Sequence, residues 1–256
     1  MLRIVAIANQ KGGVGKTTTS VNIAASMHAT QHKTLLVDID PQGNATVGSG
    51  IDKNDLSFSA FDVLMDDSVN IQDAIIKNVA GGYDLIPGNS DLTGAEVGML
   101  DRKEREARLK TAFEPIIEDY EYIFIDCPPS LNMLTINALV VAHGLMIPTQ
   151  CEYYALEGLS ALLETAKKIK HVLNPGLEID GVLRTMFDSR NNLAKEVSGQ
   201  LVAHFGEKVY RTVIPRNVRL AEAPSHGLPA LVYDRSSAGA LAYLALAGEI
   251  LRGKKA

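Results

Sequence analysis

Short apolar runs along the chain alternate with longer segments of helical periodicity. Several of the short runs, such as YIFID and LMIPT, are almost continuously apolar and show little two-residue alternation. Such runs are typical of strands that are covered on both faces, as in a parallel sheet. We therefore predict seven buried strands, over residues 3–8, 34–38, 83–87, 122–126, 145–149, 179–187 and 209–214.

The segments between these strands carry the spacing of helices. Helices are predicted roughly over residues 16–31, 101–119, 131–142, 155–173, 191–205 and 236–252. The alternation of strand and helix predicts an α/β fold, with one doubly wound, mostly parallel sheet and helices on both of its faces. The stretch 43–80 is the least regular part, and we expect a mobile loop followed by short helices there.

Length and composition bound the class of protein. The chain has 256 residues, which suits one α/β domain over 1–256, and we expect no helix-turn-helix domain ahead of residue 9 because there is no room for one. No run approaches the ~18 apolar residues that span a bilayer. The two cysteines, Cys127 and Cys151, lack metal-site spacing, which indicates buried thiols in a reduced, cytosolic protein.

The stretch ANQKGGVGKTTTS, residues 8–20, joins the first predicted strand to the first predicted helix. Glycines let backbone amides approach an anion, and a helix that begins at the anion adds its favourable dipole. We expect Lys16 against the β- and γ-phosphates of a nucleotide and the Thr17 hydroxyl on Mg²⁺. The predicted phosphate-binding residues are Gly12, Gly13, Val14, Gly15, Lys16, Thr17 and Thr18.

This loop departs from the usual pattern G-x-x-x-x-G-K-[ST] in two ways. Gln10 stands where the first glycine is expected, and Lys11 adds a second lysine. Gly12 and Gly13 can turn the backbone instead, so a glycine at position 10 is not required. The additional lysine is either an ordinary solvated surface lysine or a residue with a role beyond this loop.

Aspartates lie at the ends of two of the predicted strands. LLVDIDPQGN carries Asp38 and Asp40, and YIFIDCPPS carries Asp126. Carboxylates at the carboxyl ends of parallel strands face the ligand crevice. Asp126 is placed like the strand-end aspartate that holds Mg²⁺, directly or through water, and Asp40 is a candidate to orient or deprotonate an attacking water.

The combination of KGGVGKTTT, DIDPQGN and DCPPS resembles the deviant Walker A P-loop ATPases, and within them the ParA/Soj-type chromosome-partitioning proteins. The resemblance continues through TQCEYYALEGL at 149–159, MFDSRNNLA at 186–194 and VIPRNVRLAEAPSHG at 213–227, and so covers nearly the whole chain. It implies a cytoplasmic, nucleoid-associated ATPase with ATP and Mg²⁺ as ligands and slow turnover. It further implies a homodimer that sandwiches two ATP molecules, non-specific DNA binding, and hydrolysis stimulated by a ParB-type centromere-binding partner.

The resemblance also implies roles for individual residues around the phosphates. Lys11 would reach across the dimer interface to phosphate on the partner's ATP, as an arginine finger does. Asp40 is implied as the catalytic carboxylate of the first switch, beside Lys11 and Lys16. Asp126 belongs to the second switch, and Gln42 is a candidate contact of the Mg²⁺ shell.

Two residues of the segment IPRN resemble the adenine cradle of this family. Asn217 can read the edge of adenine through its paired donor and acceptor. Pro215 fixes the backbone nearby. Both are therefore predicted to bind the nucleotide on its base side.

The charge distribution bears on nucleic acid as a partner. Net charge is −5, which argues mildly against it. Residues 184–219, however, hold seven Lys or Arg and three Asp or Glu, a local charge of +4. Such a patch could bind DNA phosphates without reading sequence, or its arginines could make weak surface ion pairs. The resemblance favours DNA, with candidate contacts Arg190, Lys195, Arg216 and Arg219.

Two alternatives come from other branches of the superfamily. A MinD-like membrane-cycling ATPase would carry a C-terminal amphipathic helix with a basic face along its length. The end of this chain, AGALAYLALAGEILRGKKA, has its basic residues only in the last turn. We therefore expect that helix to pack on the body, with Lys254 and Lys255 as ordinary terminal charges and no stable membrane association. An iron–sulfur reductase would need a cluster-binding cysteine spacing that Cys127 and Cys151 lack.

Overall fold

Seven strands form a single sheet in the order β3-β2-β4-β1-β5-β6-β7 in the computed structural model, which describes residues 2–253. All neighbouring strands pair in parallel. The strands are β1 Arg3–Ile7, β2 Thr34–Asp38, β3 Asp84–Ile86, β4 Tyr122–Asp126, β5 Gly144–Gln150, β6 Glu178–Phe187 and β7 Val209–Pro215. The predicted doubly wound sheet is confirmed, and its described strand pairs are all parallel.

Apolar side chains cover the sheet on both faces. In β1, Ile4 and Ala6 belong to the core on one face, whereas Val5 and Ile7 belong to the core on the other. Both faces of such a strand must be apolar, which explains the continuous apolar runs in the sequence. From β1 the chain crosses to β2 on one side and later reaches β5 on the other. The carboxyl end of β1 therefore lies where the connections diverge, the usual ligand position in such sheets.

Helices connect the strands and flank the sheet. They are α1 Lys16–Ala29, α2 Asn44–Gly48, α3 Ala60–Met65, α4 Leu92–Gly98, α5 Arg108–Phe113, α6 Met133–Val141, α7 Ala155–Val172, α8 Asn192–Phe205, α9 Val218–Glu222, α10 Ala230–Tyr233 and α11 Ala238–Leu251. The segment 43–80 contains α2, α3 and a 3₁₀ turn, Ile71–Ala74, in line with the short helices predicted there.

The single helix predicted over 101–119 is wrong. Only α5 and a 3₁₀ turn, Glu114–Ile116, form within it. Asn137 of α6 accepts a hydrogen bond from the Leu109 amide and donates one to the Arg105 carbonyl, so these backbone groups are satisfied by a side chain. Pro115, at the other end, has no N–H to continue an α-helical ladder. Tertiary contacts and proline thus shorten a segment whose composition favoured a helix.

The last helix packs on the body, as expected. Tyr243 of α11 is fully buried, and its hydroxyl lies 3.1 Å from the Thr19 hydroxyl of α1. The Glu249 carboxylate accepts hydrogen bonds from the amides of Arg211 and Thr212 on the edge strand β7. These contacts tie α11 to the sheet and to α1. Lys254 and Lys255 lie outside the described residues, within which no helix is long and apolar enough to cross a membrane.

Candidate nucleotide-binding site

The loop between β1 and α1 has the backbone geometry of a phosphate cradle. Gly13 and Gly15 have φ angles of 73° and 87°, in the left-handed region that glycine adopts without steric cost. Gly15 directly precedes α1, a helix of 14 residues, so the loop ends at a helix N-terminus. Amide groups at such a terminus bind anions, and the helix dipole adds to the attraction. The loop therefore has the shape that phosphate binding requires, and the binding itself remains a prediction.

Side-chain hydrogen bonds from Asn9, at the start of the loop, and from Thr185 of β6 hold this loop in place. Asn9 accepts a hydrogen bond from the Lys11 amide (3.0 Å) and donates one to the Pro148 carbonyl (2.7 Å). Thr185 donates to the Val14 carbonyl at 2.7 Å. The loop is thus shaped without a glycine at position 10. The sequence offered no sign of Thr185, which lies 171 residues from Val14 along the chain.

Lys16 is the cation of the site and is only 7% exposed. Burial lowers the pKa of its ammonium group, and the nearby carboxylates of Asp126 and Asp40 oppose that effect. Its Nζ lies 3.4 Å from the Lys11 carbonyl oxygen across the loop. A buried ammonium in this position can meet the negative charge of a phosphate in a low-dielectric environment.

Asp126 and Thr17 meet at the start of α1, as the Mg²⁺ prediction requires. The Thr17 hydroxyl donates to one oxygen of Asp126 (2.8 Å), and the Ser20 hydroxyl donates to the other (2.8 Å). Burial, followed by the charge of Asp38, raises the pKa of Asp126 to about 8. Ser20 was not predicted, although it follows Thr17 by three residues and so shares a helix face with it.

These residues fit a magnesium ion bound together with a nucleotide. Mg²⁺ in phosphate sites typically uses one or two protein oxygens, with phosphate oxygens and water completing its shell. Thr17 and Asp126 offer such oxygens beside the phosphate loop. Within residues 2–253 there is no group of three or more His, Cys, Asp or Glu that could hold a metal by itself. The ion would therefore depend on the phosphates for its binding.

Asp38, the last residue of β2, and Asp40, two residues later, have different surroundings. Asp38 is fully buried and accepts hydrogen bonds from the Thr46 amide (2.8 Å) and hydroxyl (2.7 Å) and from the Asp40 amide (3.2 Å). It thereby fixes the turn that carries Asp40 and anchors α2. Burial raises the pKa of Asp38 to about 6. Among the described residues, Asp40 accepts one hydrogen bond, from the amide of Gln42 (2.9 Å), whereas Asp38 accepts three, so Asp40 is the less engaged of the two carboxylates.

The side chain of Gln42 was predicted to contact the Mg²⁺ shell. Gln42 is exposed, and its hydrogen bonds to neighbouring residues are made by its backbone. Its amide binds Asp40, and its carbonyl accepts a hydrogen bond from Lys53 at 2.6 Å. In this conformation Gln42 helps to shape the turn, and its contact with the Mg²⁺ shell remains a prediction.

A cavity of about 210 Å³ lies beside the phosphate loop, on its α1 side. Its lining includes both predicted base-side residues, Pro215 and Asn217, together with Thr18 of α1. The side-chain oxygen of Asn217 accepts a hydrogen bond from the Leu220 amide (3.3 Å) and caps α9. This oxygen keeps a second lone pair and the amide keeps its N–H donors, so Asn217 still has groups that could read a base edge, and its contact with adenine remains a prediction. The same cavity is lined by Met186, which was not assigned a role.

The candidate DNA-binding residues follow the carboxyl ends of two neighbouring strands, β6 and β7. Phe187 and Pro215 are register partners, so the segments that follow β6 and β7 are neighbours. Arg190 pairs with Asp188 through two nitrogens, and Arg219 pairs with Glu222 and Asp234. Both arginines are therefore ion-paired. For the two other candidates, Lys195 and Arg216, both exposed, no ion pair is found among the described residues.

Lys11 projects from the exposed side of the loop. Its Nζ lies 2.5 Å from a carboxylate oxygen of Glu152, two residues after β5 ends. Both side chains are about half exposed, so solvent screens this ion pair. The additional lysine is thus held by one accessible carboxylate of the same chain.

Both cysteines are buried, as expected. Burial raises the pKa of the Cys127 thiol and of the Cys151 thiol. A thiol that binds a cluster or attacks a substrate needs a lowered pKa and access to solvent. Neither cysteine has such an environment.

The parallel sheet, the phosphate loop at the carboxyl end of β1 and the strand-end aspartates define a P-loop nucleotide-binding protein. A family model described as an AAA domain matches residues 2–179. The sporulation initiation inhibitor protein Soj of Bacillus subtilis is 53% identical over 250 residues, covering 98% of each chain. The chromosome partitioning protein ParA of Caulobacter vibrioides is 48% identical over 252 residues, covering 98% of this chain and 94% of its own. This chain belongs to the ParA/Soj family of chromosome-partitioning ATPases.

A solved structure agrees with this assignment of fold and ligand. The crystal structure of a protein named cobyrinic acid a,c-diamide synthase, from Mycobacterium smegmatis, superposes with a TM-score of 0.89 at 38% identity. The match covers 100% of this chain and 96% of that one. That protein was crystallised with an ATP analogue and magnesium, the two ligands predicted for this site.

Proposed function

We propose that this partitioning ATPase is an ATP-driven DNA-segregation switch. ATP with Mg²⁺ binds the phosphate loop and drives formation of a homodimer with two nucleotides between the subunits. The dimer binds DNA non-specifically and so associates with the nucleoid in the cytoplasm. Hydrolysis is slow, and stimulation by a ParB-type partner releases the DNA.

The position of Lys11 carries this proposal. It lies on the phosphate loop but is turned outward, to the exposed carboxylate of Glu152. In one subunit Lys16 already supplies the buried cation, so a second lysine on the loop is available for another purpose. A nucleotide on a facing subunit would offer a stronger anion than one screened carboxylate. Exchange of Glu152 for the partner's phosphate thus links ATP binding to dimer formation.

Replacement of Lys11 tests the dimer. We expect Lys11→Ala to weaken ATP-dependent dimerisation by about tenfold or more, because a charge-assisted contact to phosphate is lost. ATP binding by the monomer should change little. Sedimentation velocity with ATP and Mg²⁺ measures dimerisation, and calorimetry measures binding.

Glu152→Gln is the matched control for this variant, because it removes the same ion pair but keeps the lysine. It should dimerise at least as well as the wild type. Equal dimerisation of Lys11→Ala and the wild type would refute a role for Lys11 across the interface.

DNA binding rests on the basic segments after β6 and β7. Arg190 and Arg219 are about 89% and 49% exposed in their side chains, and their acidic partners lie on the same surface. The Arg190 guanidinium holds the pKa of Asp188 at about 2, so Asp188 stays charged at neutral pH. DNA phosphate therefore competes with carboxylates for both arginines. In a dimer the patch is doubled, and bivalent contact strengthens weak binding to DNA.

The test of DNA binding compares nucleotide states. We expect the wild type to bind a non-specific duplex more tightly with ATP than with ADP or without nucleotide, and more weakly as salt rises. The double variant Arg190→Glu, Arg219→Glu should lose at least tenfold in affinity and keep its ATPase activity. Fluorescence anisotropy on labelled DNA measures both effects.

The matched control reverses two exposed lysines of α7, Lys167→Glu and Lys170→Glu, for the same change in net charge. This control should bind DNA as the wild type does. An equal loss in both double variants would mean that only overall charge matters, and an unchanged affinity in the arginine variant would reject the patch.

Two other functions are less well supported. A MinD-like membrane cycle would need a C-terminal helix that leaves the body, whereas α11 buries Tyr243 and binds β7 through Glu249. The name of the Mycobacterium smegmatis protein suggests ATP-dependent amide formation. If glutamine supplied the nitrogen, a reactive thiol would be needed to release it, and burial raises the pKa of both cysteines. We therefore favour the segregation switch.

A further inference from the structure

Two side chains from the ends of β5 and β6 hold consecutive carbonyl groups of the phosphate loop. Gln150 donates through Nε2 to the Gly13 carbonyl at 3.3 Å, and Thr185 donates through Oγ1 to the Val14 carbonyl at 2.7 Å. Thr185 is 2% exposed and Val14 is 1% exposed, so the second hydrogen bond is shielded from water. Both partners come from strands other than the one that carries the loop.

The direction of these carbonyls matters for anion binding. In a trans peptide the C=O and the following N–H point in opposite directions. A carbonyl drawn toward Thr185 therefore turns the Gly15 amide away from Thr185, and Gln150 acts in the same way on the amide of Val14. A carbonyl that turned inward would instead present a partial negative charge to phosphate. Successive amides that face one concavity form an anion-binding nest.

Met186 supports this arrangement from the next position along β6. It has a φ angle of 48°, in the left-handed region that costs a non-glycine residue about 1 kcal/mol or more. Its thioether contacts the Gln150 amide, and its Cε lies 3.7 Å from the point where a side chain on Gly15 would begin. The end of β6 thus contacts the loop through two adjacent residues.

We propose that Thr185 and Gln150 are positioning residues of the phosphate loop, which orient the amides of Gly15 and Val14 toward the nucleotide phosphates. Neither residue needs to touch the reacting atoms. The inference rests on the proposed ATP site and adds to it the source of the loop's shape. In a loop that lacks the usual first glycine, neighbouring strands supply the restraint.

Thr185→Val tests the stronger of the two contacts. The change keeps the shape of the side chain and removes the hydroxyl donor, so we expect the dissociation constant for Mg-ATP to rise about fivefold to tenfold. Thr185→Ser keeps the donor and should stay within about twofold of the wild type. Isothermal titration calorimetry measures these constants. Competition by inorganic tripolyphosphate, which has no base, should show the same loss, because the effect lies at the phosphates.

Thr34→Val is the matched control. Thr34 is also a buried strand threonine, 3% exposed, whose hydroxyl donates to a backbone carbonyl, that of His32, at 3.0 Å. It is the first residue of β2 and so lies at the amino end of its strand, whereas the phosphate loop follows the carboxyl end of β1. Both variants should lose a similar amount of thermal stability, but only Thr185→Val should lose nucleotide affinity. Equal affinity losses in the two variants would show that general destabilisation is the cause and would overturn the inference.

Lys16→Ala separates this inference from the proposed site itself. If that variant loses ATP binding while Thr185→Val binds normally, the site is correct and the positioning role is wrong. If Lys16→Ala binds ATP normally, the proposed ATP site itself is wrong. Loss of ATP but not of tripolyphosphate affinity in Thr185→Val would place its effect in the base cavity, and it would also reject the positioning role.

Discussion

Lys16→Ala is expected to abolish ATP binding at nucleotide concentrations that saturate the wild type. Lys16 is buried at the N-terminus of α1, and its ammonium group is influenced by the charges of Asp126 and Asp40. Without it, a polyanion would enter a site lined by carboxylates. Loss of two charge-assisted hydrogen bonds, at roughly 1.5–3 kcal/mol each, corresponds to at least a hundredfold weaker binding. Calorimetric titration with Mg-ATP measures the loss.

A second variant shows whether charge or side-chain volume is responsible. Lys16→Met keeps most of the aliphatic stem and removes only the ammonium group. We expect the same loss of binding as in Lys16→Ala, with a melting temperature closer to that of the wild type. ATP binding at wild-type affinity in either variant would contradict the assignment of the phosphate loop.

Asp40→Ala is expected to abolish turnover while ATP binding remains. Asp40 lies in the turn after β2, only 6% exposed, and its carboxylate is held by the Gln42 amide. A carboxylate that orients or deprotonates the attacking water contributes about 10²- to 10⁴-fold to the rate. Its removal takes a negative charge from the site, so affinity for ATP should stay the same or increase. Phosphate release measures turnover, and calorimetry measures binding.

Asp40→Asn separates the chemistry from the shape of the turn. The amide oxygen of asparagine can still accept the hydrogen bond from Gln42, but it is a much weaker base. We expect Asp40→Asn to be as inactive as Asp40→Ala. An active Asp40→Asn would mean that Asp40 only shapes the turn, and hydrolysis at the wild-type rate in Asp40→Ala would exclude it from the reaction.

Much of the fold and of the nucleotide site could be predicted from local sequence. A strand that is buried on both faces must be apolar throughout, so β2, β4 and β5 were visible as apolar runs. The phosphate loop combines glycines, a lysine and a threonine within a few residues, because the backbone turn and the helix start are adjacent in the chain. Asp126 was found because it ends its strand, and Asp40 because it lies two residues beyond the end of its strand.

The helices around 92–116 and the residues that hold the loop could not be predicted. The segment 101–107 is kept out of a helix by a side chain from α6, Asn137, and no local pattern reports that contact. Thr185 and Gln150 reach the loop over 171 and 137 residues of chain. Their contacts with the loop depend on the strand order, which places β5 next to β1 and β6 next to β5.

Sequence by itself determined the class of fold, the phosphate loop and the presence of one lysine more than a single site needs. These features depend on residues close together in the chain, where backbone geometry and charge follow directly from residue type. Only the tertiary structure decided which polar groups contact one another. It gave Asp38 to Thr46 and α2, Lys11 to Glu152, and the Val14 carbonyl to Thr185. Such pairings join distant parts of the chain, because they depend on which strands the sheet makes neighbours.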